Sequence, residues 1–290
     1  MKKELLSLLS ILTVTCAAAR EKTDTTYWTR KGVAGLNLSQ VSLTNWSAGG
    51  DGSVAFDALF NYNLDYKKDR HLWQNRLELA YGMSHTSSDG ARKTNDKIYL
   101  SSTYGYEIAK NWYLSALLNF NTQFANGYDY GKSDRNFISR FMAPGYLMAG
   151  VGVTWTPKPW FTATITPATW RGTFVCSSRL SNEGAYGVDP GNRLLSEFGG
   201  NLRLIFNYEF LPNMNVYSRI DLFSDYLRKP ANIDVRWDTQ VTMKINKWFS
   251  ASLNLNLIYD DDIRFEQPDG RTGARLQFKE VLGVGFQATF

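Results

Sequence analysis

His85 and Ser87, two residues apart, are the pair in this sequence best suited to nucleophilic chemistry. A serine hydroxyl attacks only when a neighbouring base takes its proton, and a third side chain must hold that base in place. Asp96 would serve if the chain reverses after Ser87, giving an esterase-like constellation of His85, Ser87 and Asp96. The competing reading is a solvated loop, because Ser88-Asp89-Gly90 has the composition of a turn, and this reading is preferred. Asp260-Asp261-Asp262 offers oxygen ligands for a hard cation, but its spacing does not fit a calcium-binding loop. Cys176 has no cysteine or histidine at metal-ligand spacing. No metal site and no cofactor are expected.

The richer polar chemistry is spread out. Arg76, Glu78, Glu107, Arg203, Glu209, Arg219, Asp221, Arg236, Asp238 and Lys244 all fall on the polar side of alternating segments. If those segments are strands, these side chains face one interior. Charges withdrawn from bulk water need partners, so one reading is a set of ion pairs that stiffens the wall. The other is a ring of charges that selects solutes in a narrow passage. Both signs are well represented, which favours pairing, since a selective pore should show an excess of one sign.

The elements that must carry these residues follow from a period of two. Val54, Phe56, Ala58, Phe60, Tyr62, Leu64 and Tyr66 are apolar or aromatic, while Asp57, Asn61, Asn63 and Asp65 lie between them. The alternation recurs over lengths that match a tilted membrane strand of about 9 to 11 residues. It predicts twelve strands, near 31–43, 53–66, 72–84, 97–108, 112–124, 145–156, 160–170, 195–210, 215–225, 233–245, 248–259 and 276–290. Short turns at 67–69, 109–111, 157–159, 211–213 and 246–247 alternate with longer polar loops at 45–52, 85–96, 125–144, 171–193, 226–232 and 260–274. That regularity, an even strand count and the absence of predicted helices describe an all-β fold: a transmembrane antiparallel β-barrel of about twelve strands with both termini at the short-turn, periplasmic side. Trp73, Trp112, Trp155, Trp160 and Trp248 adjoin the short turns and read as an interfacial aromatic girdle. The last segment keeps Leu276, Phe278, Leu282, Val284, Phe286, Ala288 and Phe290 on one face. A terminal aromatic on such a strand resembles the signal read by the machinery that inserts outer-membrane barrels.

Composition agrees. Aromatic residues are 14% of the chain, yet the mean hydropathy is -0.32. A barrel reconciles the two because its lipid face and polar interior alternate and cancel in the average. Lys2, Lys3, the apolar run Leu5 to Val14 and the small residues Ala17, Ala18 and Ala19 read as an export signal over 1–19. Residues 20–30 then form a short periplasmic segment and 31–290 the barrel. Cys16 raises lipoprotein processing as a lesser alternative. The net charge of +5 is mild, and no nucleic-acid partner is expected; outer-membrane lipid and small polar solutes are.

Several segments carry a resemblance. They include Asn45-Trp46 with Gly49-Gly50, Asn95-Asp96-Lys97-Ile98 with Tyr104-Gly105-Tyr106, Ser115 to Phe120 with Thr122-Gln123-Phe124, Phe141 to Tyr146, Asn232 to Val235 and Ile258 to Asp262. Through them the chain resembles, over nearly all of its mature length, a family of Bacteroidetes outer-membrane barrels catalogued only as a domain of unknown function (number 3078). The resemblance implies a barrel and an outer-membrane location, and no reaction. The His-x-Ser pair separately resembles that of outer-membrane phospholipases and lipid A deacylases. The expected role is a narrow channel or binding barrel for small polar solutes. The alternatives are a lipid-modifying esterase using His85 and Ser87, and a structural or partner-binding barrel.

Overall fold

A computed structural model describes residues 27–41, 52–131, 136–228, 230–260, 262–266 and 272–290. The export signal with Cys16, the residues 20–26, the pairs Asn45-Trp46 and Gly49-Gly50, and Asp261 lie outside the described residues. Strands β1 (Trp28–Val41), β2 (Ser53–Lys68), β3 (His71–Thr86), β4 (Gly90–Ala109) and β5 (Trp112–Thr122) come first. After the short strands β6 (Gly127–Tyr128) and β7 (Phe137–Ser139) come β8 (Gly145–Lys158), β9 (Phe161–Phe174), β10 (Leu194–Leu211), β11 (Met214–Asp225), β12 (Asp234–Lys244) and β13 (Phe249–Tyr259). Two more short strands, β14 (Arg264–Glu266) and β15 (Thr272–Ala274), precede β16 (Gln277–Thr289). The twelve long strands close into one antiparallel barrel in the order β1-β16-β13-β12-β11-β10-β9-β8-β5-β4-β3-β2, and the short ones form two separate hairpins in the loops.

The period of two sets the two faces. Along β5, Leu114 and Leu118 are 57% and 46% exposed on the outside, whereas Leu117 between them is 2% exposed on the inside. Asp69, Asn111 and Asn213 take positive φ at three of the tight turns, a conformation that Asp and Asn tolerate through their short polar side chains. Trp73, Trp112, Trp155, Trp160 and Trp248 are all exposed at that short-turn end. Trp112 stacks on Trp155 with ring centroids 5.7 Å apart, and Trp160 meets Phe206 edge-on at 5.5 Å. Closure is made there too. The backbone of Gly32 exchanges hydrogen bonds of 2.6 and 3.0 Å with Phe290, whose ring leaves no room for a Cβ on residue 32.

Three expectations need correction. The predicted loop 85–96 is the end of a long hairpin: β3 runs to Thr86, β4 starts at Gly90, and only Ser87, Ser88 and Asp89 turn. Strand β9 continues past Trp170 to Phe174 across a register shift opposite Gly199/Asn201 that leaves Pro167 and Ala168 without partners on β10, although Ala168 still pairs with Val151 of β8. Proline cannot donate to the ladder, so a bulge forms and the inward parity moves from Thr164 and Thr166 to Thr169 and Arg171. Helix is also present, in the loop after β9: α1 (Ser178–Asn182), followed by a 3-10 turn at Ala185–Gly187.

That loop is a cap. Val175, Leu180 and Val188 pack with Ala143 of the preceding loop and Leu195 of β10 into a small apolar cluster, against which Phe137, Ala185 and Tyr186 lie. The Tyr186 hydroxyl donates to the Ile138 carbonyl at 2.6 Å, and burial pushes its phenol up to about 12. The cap covers the β8–β10 side of the long-loop mouth, and its Gly187 reaches Asp262 in the loop after β13.

Candidate functional site

Alternation places the inward charges at mid-height, and the register brings them level. Arg219 on β11 faces Asp238 on β12, and Asp221 faces Arg203 on β10. Across the lumen stand Arg76 and Glu78 on β3 and Lys97 on β4. Glu78 receives Arg76 Nε at 2.5 Å, Lys97 Nζ at 2.6 Å and Arg219 Nη1 at 3.1 Å. Arg219 also pairs with Asp238, and its Nε lies 3.5 Å from Asp221. Arg203 holds Asp221 at 2.6 Å and donates to Ser101 and Asn119. Asp238 accepts a further bond from Asn256 at 2.6 Å. Two tyrosines complete the belt: the Arg219 guanidinium lies 3.9 Å from the Tyr99 ring centre, and that of Arg76 lies 3.8 Å from Tyr217.

The belt spans the lumen, with Arg219 reaching Glu78 and Arg203 reaching Ser101 and Asn119. Arg219 is 1% exposed, Arg203 3% and Tyr99 4%. Above it, toward the long loops, is a cavity of about 430 Å³; below it, toward the short turns, is one of about 250 Å³. Arg76, Tyr99, Tyr217 and Arg219 line both, as floor of one and ceiling of the other. A third, smaller cavity of about 70 Å³ lies between the belt and the cap. Arg171, Arg203 and Arg236 line it with Asp221, Asp234 and Asp260; Arg171 pairs with Glu197 and, at 2.6 Å, with Asp234, and lies 4.2 Å from the Phe223 ring centre. Each ion pair here is removed from bulk water, so each charge depends on its partner.

The upper cavity is lined by the side-chain amides Asn61, Asn95, Gln240, Asn254, Asn256 and Gln277. Carboxamides both donate and accept, which suits hydroxyl, carbonyl and carboxylate groups. Arg236 reaches this cavity with its guanidinium 5.3 Å from the Tyr146 ring centre, and makes no ion pair among the described residues.

Of the charges expected to face the lumen, Arg76, Glu78, Arg203, Arg219, Asp221 and Asp238 are thus brought together, and Arg236 lies beside them. The other three are elsewhere. Glu107 and Glu209 accept backbone N–H bonds from Asn111 and Asn213 and cap short turns, and Lys244 is exposed at the same end. Their parity is inward, but they lie beyond the belt. Sequence reasoning missed Lys97, because the fourth strand was started at that residue, and Arg171, because the bulge at Pro167 hid the continuing strand.

The constellation of His85, Ser87 and Asp96 is not assembled. His85 pairs with Ala91, whereas Asp96 pairs with Tyr81, four residues down the hairpin, or about 13 Å at strand spacing. The Asp96 carboxylate instead takes Lys93 Nζ at 2.7 Å and the N–H groups of Phe124 and Ala125 at 2.7 and 2.9 Å. The Ser87 hydroxyl donates to the Gly52 carbonyl at 3.4 Å. No group of three His, Cys, Asp or Glu side chains arranged to hold a metal ion occurs among the described residues.

Comparison with known proteins adds the following. The chain resembles solved outer-membrane barrels: an outer membrane channel from Pseudomonas putida F1 (10% identity, 93% of this chain and 100% of that one, TM-score 0.42), the NanC porin (9%, 88% and 98%, 0.37), and OmpT, an outer membrane protein of Vibrio cholerae (8%, 93% and 100%, 0.32). No curated protein matches the sequence at a significant level. Residues 38–128, from the upper part of β1 to β6, match the model of a family described as a protein of unknown function (DUF3078).

Proposed function

We propose that this protein is an outer-membrane barrel that binds small polar solutes in its upper cavity and does not stand open as a pore. Its short turns and both termini face the periplasm, and the long-loop mouth faces outward. The observation that carries this reading is the mid-barrel belt of ion pairs, which leaves a polar cavity of about 430 Å³ closed below. Exposed Leu, Val, Ile and Phe side chains around the outer wall, bordered by tryptophans at the short-turn end, supply the lipid-facing band. Cap and belt are both made of this chain's own side chains, so passage of solute requires the belt to rearrange.

Planar-bilayer recording of the purified protein in potassium chloride tests the reading. The wild-type chain is expected to insert without a steady conductance. A standing, ohmic conductance in every insertion would overturn it and restore the open channel.

A further inference from the structure

One seam of the barrel is unlike the others. Each of the other eleven neighbouring strand pairs is registered over ten or more residue pairs, whereas β1 and β16 pair only over Val33–Asn37 against Gly285–Thr289, extended by the Gly32–Phe290 bonds. Both strands continue upward, β1 to Val41 and β16 back to Gln277, along their outer neighbours β2 and β13. Continuing the register would set Leu38 opposite Val284, Ser39 opposite Gly283 and Gln40 opposite Leu282; none of these pairings is made.

Exposure reports the same gap. Leu38, Ser39 and Gln40 are all exposed, as are Phe278, Lys279 and Glu280. Two inward amides at the seam, Asn37 Nδ2 at its foot and Gln277 Nε2 near its top, are buried without an acceptor, and a buried donor left unpaired is costly. On the β16 side of the gap, Gln277, Phe278, Lys279 and Val281 help to line the upper cavity. Counting upward from Trp28, an apolar band about 25 Å tall spans roughly ten residues of a tilted strand. The gap therefore begins near the outer margin of the band, where lipid headgroups lie.

The chemistry of the walls selects an occupant. Within the cavity the belt cations are satisfied by the belt carboxylates, and Asp96 by Lys93. Lys279 donates to Asn95 Oδ1 at 2.8 Å, and the same amide donates to Asp57, so one carboxylate answers one ammonium through an amide. Arg236 stands beside Asp234 and Asp260, which line the small cavity with it, but makes no ion pair of its own among the described residues. A guanidinium outside any ion pair, the idle Gln277 amide donor in the cavity wall and a lateral gap flanked by Leu38, Phe278 and Leu282 match a monoanionic head with an apolar tail.

We propose that the upper cavity opens sideways between β1 and β16, and that its ligand is a single-chain anionic amphiphile from the membrane, its carboxylate at Arg236 and Lys279 and its tail leaving through the gap. This rests on the upper cavity being the binding site.

The test is binding of radiolabelled hexadecanoate to the detergent-purified full chain, against butanoate and hexadecanol as competitors. Hexadecanoate is expected to bind once per chain, with butanoate and hexadecanol competing poorly. Arg236→Gln and Lys279→Gln should each weaken it about ten-fold, as removal of a charged hydrogen-bond donor does. In a chain carrying Cys16→Ser and Cys176→Ser, a disulfide formed between Gln40→Cys and Leu282→Cys should abolish binding, and reduction should restore it. No saturable hexadecanoate binding, or binding unchanged in both Gln variants, would overturn the proposal. Butanoate binding as tightly as hexadecanoate, with the locked seam having no effect, would overturn the lateral route and keep the cavity as the site; a standing conductance in the bilayer assay would overturn the cavity reading itself.

Discussion

Replacing Arg219 separates the charge of the belt from its bulk. In wild type this side chain is within ion-pair distance of Glu78 at 3.1 Å, Asp221 at 3.5 Å and Asp238. Without it, Glu78 keeps Arg76 at 2.5 Å and Lys97 at 2.6 Å, and Asp221 keeps Arg203 at 2.6 Å. Asp238 keeps only the Asn256 amide and Lys97 at 3.7 Å. Breaking a buried pair costs about 3–5 kcal/mol, and because two of three carboxylates stay paired the lower end, about 3 kcal/mol, is expected. Arg219→Met should show this loss in urea unfolding of the barrel refolded into lipid vesicles, followed by tryptophan fluorescence, while remaining electrically silent because Met fills much of the same space. Arg219→Ala should show a similar loss and also join the two cavities, giving conductance steps that Arg219→Met lacks. Adding Asp238→Asn to Arg219→Met should recover about 1–2 kcal/mol, the coupling expected of direct partners. Identical unfolding of Arg219→Met and wild type would refute the belt as a network of mutually dependent charges. Identical silence of Arg219→Ala would refute its role as the lumen's closure.

Other consequences are simpler to check. Leu180→Asp places a charge in the 3%-exposed centre of the cap cluster; trypsin should then cut after Arg179 or Arg193 under conditions that spare wild type, as read by mass spectrometry. Gly32→Val drives a side chain into the Phe290 ring at the closing seam, and should lower the temperature at which the refolded barrel loses its compact gel mobility. Trp112→Ala removes a stacked, exposed partner of Trp155 and should cost about 1 kcal/mol in urea unfolding. Ser87→Ala and His85→Ala are expected to leave folding and any lipid hydrolysis unchanged; hydrolysis by wild type that vanishes in Ser87→Ala would reinstate the esterase reading.

Much of the architecture is local and therefore legible in sequence. A strand's side chains alternate by geometry, so Val54 to Tyr66 and Leu202 to Phe210 announce their two faces without any partner. Tight turns announce themselves through residues such as Asp69, Asn111 and Asn213, which accept positive φ. Parity alone placed Arg76, Glu78, Arg203, Arg219, Asp221 and Asp238 on one interior. Tertiary structure decided what parity cannot express: height and register. Glu107, Glu209 and Lys244 share that parity but stand at the short-turn rim. The bulge at Pro167 changes which residues point inward and brings Arg171 into the wall, because one extra residue in β9 relative to β10 inverts the face of everything after it. The length of the β3–β4 hairpin put Asp96 out of reach of His85. The short pairing of β1 with β16 joins the two ends of the chain, and no local pattern in either strand encodes it, since closure depends on the tilt and stagger of all twelve strands together.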